Sequence, residues 1–176
     1  MTVIFASTAV PINFRNATTS SIITPAEFWS VLEHKCRNPA PFVKSITSSR
    51  VVKENRDQSG QITGLTRLVT VDEAFGIAEE IEEVAVIKRP VMVIFNIPST
   101  GTVITNILAH GPNPIENPED IYMVSTYEWN HPEVEFGSNE YKVLQAKYSL
   151  LSSQVASHTV AMARQMKIEG TLTDLA

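Results

Sequence analysis

Residues 121–131, IYMVSTYEWNH, and residues 138–167, SNEYKVLQAKYSLLSSQVASHTVAMARQMK, decide the fold between them. In the first stretch Ile121, Met123, Ser125, Tyr127 and Trp129 alternate with Tyr122, Val124, Thr126 and Glu128. A period of two belongs to a strand with unlike faces, so a strand is predicted over about 119–130. In the second stretch Leu144, Tyr148, Leu151, Val155, Met162 and Met166 recur at helical spacing, with His158 in the gap. The spacing predicts a long helix from about Ser138 to Lys167, stopped by Gly170, whose apolar stripe lies along a sheet face.

Working back from there, the same alternation runs upstream to Phe42. It predicts strands near 43–54, 61–71, 78–88, 91–97 and 102–110, joined by turn-forming residues such as Asp57-Gln58-Ser59-Gly60 and Pro98-Ser99-Thr100-Gly101. Short connections make consecutive strands antiparallel. A further strand, 2–11, ends at Pro11. Between it and the rest stands Thr24-Pro25-Ala26-Glu27, a helix start with Thr24 as N-cap, Pro25 at the first position and Glu27 closing a capping box. Phe28, Val31, Leu32 and Cys36 supply that helix's buried stripe, and Asn38-Pro39 ends it. The order is strand, helix, six strands, long helix. This is an α+β arrangement of about seven antiparallel strands wrapped around a C-terminal helix, and a sheet of that size curls and leaves a hollow beneath the helix.

The 176 residues fit one ligand-binding domain over 1–176. A net charge of −5 argues against nucleic-acid or anionic-membrane partners. Cys36 is the only cysteine, which excludes an internal disulfide and a thiolate cluster, and no apolar run reaches the length of a membrane span. The expectation is a cytoplasmic protein, monomer or homodimer. Histidines 34, 110, 131 and 158 show no metal-ligand spacing, and nucleotide-binding and serine-hydrolase motifs are missing. No metal and no cofactor is expected.

Arg67 shares a strand face with Leu65, Val69 and Val71. A guanidinium on an apolar face is either paired, with a partner from the run Glu79-Glu80-Ile81-Glu82-Glu83, or anchors an anionic or enolate ligand. The glutamates are otherwise a solvated edge. On 121–131, the face of Tyr127 points at the hollow, so Tyr127 is a candidate proton donor and Trp129, Met123 and Ser125 candidate walls. Glu128 points outward on that register; a bulge that reversed it would make Glu128 an inward general base. Phe95, Asn106, Tyr148, His158 and Met162 complete the candidate ligand-binding set. Cys36 reads as core.

Several segments resemble the AtaL-like family of the START-like, or SRPBCC, superfamily. They are Val10-Pro11-Ile12-Asn13, Glu27-Phe28-Trp29, Asn38-Pro39-Ala40-Pro41-Phe42-Val43, Thr66-Arg67-Leu68-Val69, and Tyr122-Met123 with Glu128-Trp129-Asn130-His131-Pro132. The resemblance implies a helix-grip fold with a deep hydrophobic cavity, and relatives in the wider superfamily include cofactor-free polyketide cyclases. Asn130 stands where the family pattern has arginine, and the loop 111–118 is longer than usual, which suggests a specialised entrance gated by that loop. The function implied is a cofactor-free enzyme of specialised metabolism acting on an apolar polyketide- or alkaloid-like intermediate by cyclisation, dehydration or isomerisation. The alternative is a non-catalytic carrier of a small apolar ligand.

Overall fold

The computed structural model of the chain describes residues 2–14, 19–72 and 80–172. Seven strands form one sheet: β1 (Thr2–Pro11), β2 (Ile46–Arg56), β3 (Ile62–Val71), β4 (Glu80–Lys88), β5 (Met92–Ile97), β6 (Thr102–His110) and β7 (Ile121–His131). Their order is β1-β7-β6-β5-β4-β3-β2 and every neighbouring pair is antiparallel. Two α-helices, α1 (Pro25–Arg37) and α2 (Asn139–Glu169), cover its inner face. This is the helix-grip arrangement. No helix among the described residues is long and apolar enough to cross a membrane.

Alternation decides which side chains face inward. Leu65, Arg67 and Val69 of β3 are buried, as are Ile121, Met123, Ser125 and Tyr127 of β7, while Glu128 is exposed. Pairing then lines up rows of inner-face residues across the sheet. One such row runs through Ala85, Phe95, Ile104, Tyr127 and Ala6. Strand ends differ from the sequence reading by at most three residues. Phe42 and Val43 turn back on the Pro39 carbonyl, so β2 begins only at Ile46. Positions 78 and 79 of the expected fourth strand, Glu79 included, lie outside the described residues.

α1 starts as its sequence dictates. The Thr24 hydroxyl accepts from the Glu27 amide, and the Glu27 carboxylate accepts from the Thr24 amide. Glu27 also takes the Lys167 ammonium at 2.6 Å, pinning the start of α1 to the end of α2.

α2 is capped by Ser138 and stopped by Gly170, whose φ of 73° is the left-handed conformation that favours glycine. Its buried face corrects the expected stripe. The deeply buried residues are Tyr141, Ser152, Ala156, Thr159, Val160 and Ala163. Leu144, Tyr148, Leu151, Val155, Met162 and Met166 are only partly buried. The helix approaches β1 through small side chains, with Ser152 Oγ 3.0 Å from Thr8 Oγ1, so the large residues are rotated to its flank. One main cluster, including Phe28, Leu32, Phe42, Leu65, Val93, Leu108 and Met123, fills one end of the space between helices and sheet. The other end is not filled.

Candidate functional site

The unfilled end is a cavity of about 170 Å³. That is small beside the ~300–1,000 Å³ of ordinary ligand sites. Val69, Ile81, Phe95, Ile97, Ile104, Leu151 and Val155 give it mostly apolar walls. Its polar lining comes from Lys35, Ser45, Arg67, Glu83, Asn106, Tyr127 and the edge of Trp129.

Arg67 is 3% exposed and faces Glu83, its cross-strand partner, itself 6% exposed. Nη2 lies 2.5 Å and Nε 2.7 Å from Glu83 Oε2. Nη1 donates to Lys35 O at 2.8 Å and to Cys36 O at 2.6 Å. Those are carbonyls of the last turn of α1, which lack helical partners and attract a cation. The guanidinium also lies over the Phe95 ring, 4.7 Å from its centroid. Arg67 therefore ties α1 to β3 and β4, and much of its donor capacity is spent on the protein. Glu83 is correspondingly not part of a solvated edge, whereas Glu80 and Glu82 are exposed.

Tyr127 is buried, and its hydroxyl has no hydrogen-bond partner among the described residues. Burial pushes that phenol up to about 12. It stays protonated at ordinary pH and acts as a donor. Its ring stacks on Trp129 at 4.9 Å, and Trp129 stacks on Tyr148 at 4.0 Å. Tyr148 OH is 2.7 Å from His131 Nε2. The Glu128–Pro132 segment thus forms an aromatic stack joining β7 to α2 and walling the cavity. Asn130, where arginine was expected, donates to Gly101 O at 2.7 Å and closes the β5–β6 turn against β7. A Cβ at Gly101 would stand 2.4 Å from that amide nitrogen, and φ there is 67°.

Lys35 is the group the sequence reading missed. It is 4% exposed, and its Nζ donates to Asn106 Oδ1 at 2.9 Å and to Thr159 Oγ1 at 3.1 Å. No carboxylate lies within ion-pair distance among the described residues. Desolvation first, and then the nearby Arg67 charge, lower its pKa to about 7. A signal existed: 35 follows Val31 by four and Leu32 by three, which puts it on the same helix face as the apolar stripe.

Phe95, Asn106, Tyr127, Trp129 and Arg67 come together at the cavity. Others do not. Glu128 is exposed on the outer face of β7, because the strand runs without a bulge against both neighbours. Met123 is sealed in the packed core, and Met162 packs against that core from α2. Ser125 is fully buried beside Asn106 on the neighbouring strand, with its Oγ unpartnered among the described residues and away from the lining. Tyr148 is not part of the lining and stacks on Trp129, which is. His158 borders a second depression that shares Ser45, Leu151 and Val155 with the cavity, and its Nε2 contacts Pro41 O at 3.2 Å. The loop 111–118 is not a lid: it joins the ends of β6 and β7 at His110 and Ile121, whereas the cavity lies at the opposite end of that hairpin, around Ile104 and Trp129. Cys36 is core, and burial pushes its thiol up to about 11.

Residues 6–170 match the family described as Acetylaranotin biosynthesis cluster protein L, or AtaL. No curated protein sequence matches the chain. Among solved structures, the solution structure of KanY superposes with a TM-score of 0.59 at 12% identity, over 97% of this chain and all of that one. The di-domain ARO/CYC StfQ from the steffimycin biosynthetic pathway gives a TM-score of 0.63 at 12% identity over 93% of this chain, which spans 52% of that protein's length. TTHA0849 from Thermus thermophilus gives 0.57 at 12% identity, over 97% of this chain and 99% of that one. At such identities the likeness establishes the fold.

Proposed function

The chain belongs to the AtaL family, and we propose that it is a cofactor-free enzyme of specialised metabolism that binds a small apolar intermediate and promotes its cyclisation, dehydration or isomerisation. The observation that carries this reading is an apolar cavity with a phenol in its wall, Tyr127, that has no hydrogen-bond partner among the described residues. Apolar walls hold and orient the reacting chain and exclude water, which lowers the barrier to an intramolecular step. A buried hydroxyl with no protein partner is suited to a ligand carbonyl and strengthens its hydrogen bond as that oxygen gains charge. Arg67 also lines the cavity, but its charge is largely offset by Glu83, and it acts by holding α1 in place. A carrier needs the same cavity without titratable groups, and here Lys35 and Tyr127 both face it.

Native mass spectrometry of the protein purified from its host identifies the compound it holds. With that compound, Tyr127→Phe keeps the ring and its stacking, so folding changes by about 1 kcal/mol. Turnover falls on the order of 100-fold while affinity changes far less. A protein that binds the compound and releases it unchanged, with Tyr127→Phe weakening only affinity, is a carrier, and the enzymatic reading is then wrong.

A further inference from the structure

We infer that the Lys35 amine is a nucleophile that captures an aldehyde or ketone of the bound ligand as an imine. The inference rests on the reading of the cavity as a ligand site and goes further in naming the substrate's reacting group. Lys35 reaches the cavity from the last turn of α1, among apolar walls and, among the described residues, without a carboxylate partner. Its two polar contacts fix the nitrogen. Thr159 Oγ1 gives its own hydrogen to Val155 O at 2.9 Å, so toward Lys35 it can only accept. Asn106 Oδ1 accepts as well. A neutral amine has two hydrogens, and both are taken. Its lone pair occupies a direction with no partner among the described residues, which is the condition for attack on a carbonyl carbon.

Desolvation and the Arg67 charge favour the neutral form and outweigh Glu83, which favours the charged one. Arg67 from β3 repels a second cation, Glu83 from β4 is engaged by Arg67, and neither Cys36 on α1 nor Tyr127 on β7 is ionised near neutrality. With a pKa of about 7, half the Lys35 amine is free at pH 7. An ordinary lysine is free to roughly one part in 2,500.

The step balances without an oxidant or reductant. Nζ forms a bond to the carbonyl carbon, the C=O π pair moves to oxygen, and that oxygen takes the proton the nitrogen loses. The carbinolamine takes a proton from solvent, expels water and leaves a protonated C=N bond. The protonated imine draws electrons from the adjacent C–H, whose loss of a proton to water gives the carbon nucleophile that a cyclisation or dehydration needs. The implied substrates are carbonyl compounds with such a hydrogen.

The test uses benzaldehyde, which fits a small cavity and forms an imine that cannot react further, with sodium cyanoborohydride at pH 7. Peptide mapping should find one lysine adduct, of the aldehyde's mass less one oxygen, on Lys35. It should form on the order of a thousandfold faster than on any other lysine, in line with the free-amine fractions. Lys35→Met should lose this fast adduct. Benzyl alcohol, which has no carbonyl, is titrated in parallel and followed by NMR at the cavity residues. Benzyl alcohol bound in the cavity while Lys35 stays unmodified overturns the nucleophile and leaves the ligand site standing. If neither compound occupies the cavity, both readings fall. The unsubstituted protein decides the matter even where Lys35→Met does not fold.

Discussion

Lys35 and Arg67 show how two buried cations in one site differ in what they are for. Arg67 has a carboxylate and two helix-end carbonyls, so Arg67→Met strands Glu83 and uncaps α1. Denaturant unfolding should show a loss of about 3–5 kcal/mol. A loss under about 1 kcal/mol would mean that the ion pair does not hold the helix. Lys35 has only neutral partners and makes stability depend on pH. Its folded pKa, about 7, lies below its unfolded value of 10.5, so between these the unfolded chain binds more protons and stability rises with pH. Below pH 7 the amine is charged in both states and the difference is constant. Cys36 and Tyr127 are shifted upward instead, so from about pH 9 they take stability away as pH rises. The clean window is pH 7 to 9. There the native protein should gain about 2 kcal/mol relative to Lys35→Met, and equal slopes for the two would contradict a depressed amine. Arg67 was legible because alternation on β3 gave it an inner-face position and the next strand offered glutamates. Lys35 was not, because a lysine beside a helix stripe ordinarily snorkels to water; only the arrival of Asn106 and Thr159 from β6 and α2 makes its burial tolerable.

At the level of elements, the strands were readable wherever one face is buried, since a slip of one residue would turn every side chain over. Alternation on β7 favoured Tyr127 inward and left Glu128 inward only through a bulge, which the pairing with both neighbours lacks. α2 was less legible. Large apolar residues suggested its buried face, but close packing on β1 selects the small ones, Ser152, Ala156 and Ala163, and that choice depends on the depth of approach rather than on hydropathy. The loop between β6 and β7 was placed correctly in sequence and wrongly in role, because its length says nothing about which end of the hairpin the cavity occupies. Replacing 112–117 by a short turn should leave benzyl alcohol affinity within about twofold and shift stability by no more than about 1 kcal/mol, since surface loops tolerate length changes. A tenfold loss of affinity would restore the loop as a gate.

Across the whole molecule, the division of the inner face into a filled and an unfilled end is what links fold to function. The filled end, around Phe28, Phe42 and Met123, supplies the apolar burial that stabilises the chain. The unfilled end holds the Tyr127 hydroxyl, which has no partner among the described residues, beside the Lys35 amine. Superposition on KanY and StfQ at 12% identity shows that the scaffold persists while side chains change, so the chemistry resides in the particular lining. The proposed function therefore turns on whether an apolar carbonyl compound occupies that end. An NMR titration with acetophenone tests this most directly. The predicted result is saturable shift changes confined to Ile46, Val69, Phe95, Ile104, Tyr127 and Val155, weakened in Tyr127→Phe by about 1 kcal/mol for the lost hydrogen bond. Saturable changes centred instead on the exposed Phe5 or Phe136, or no saturable change at all, would contradict it.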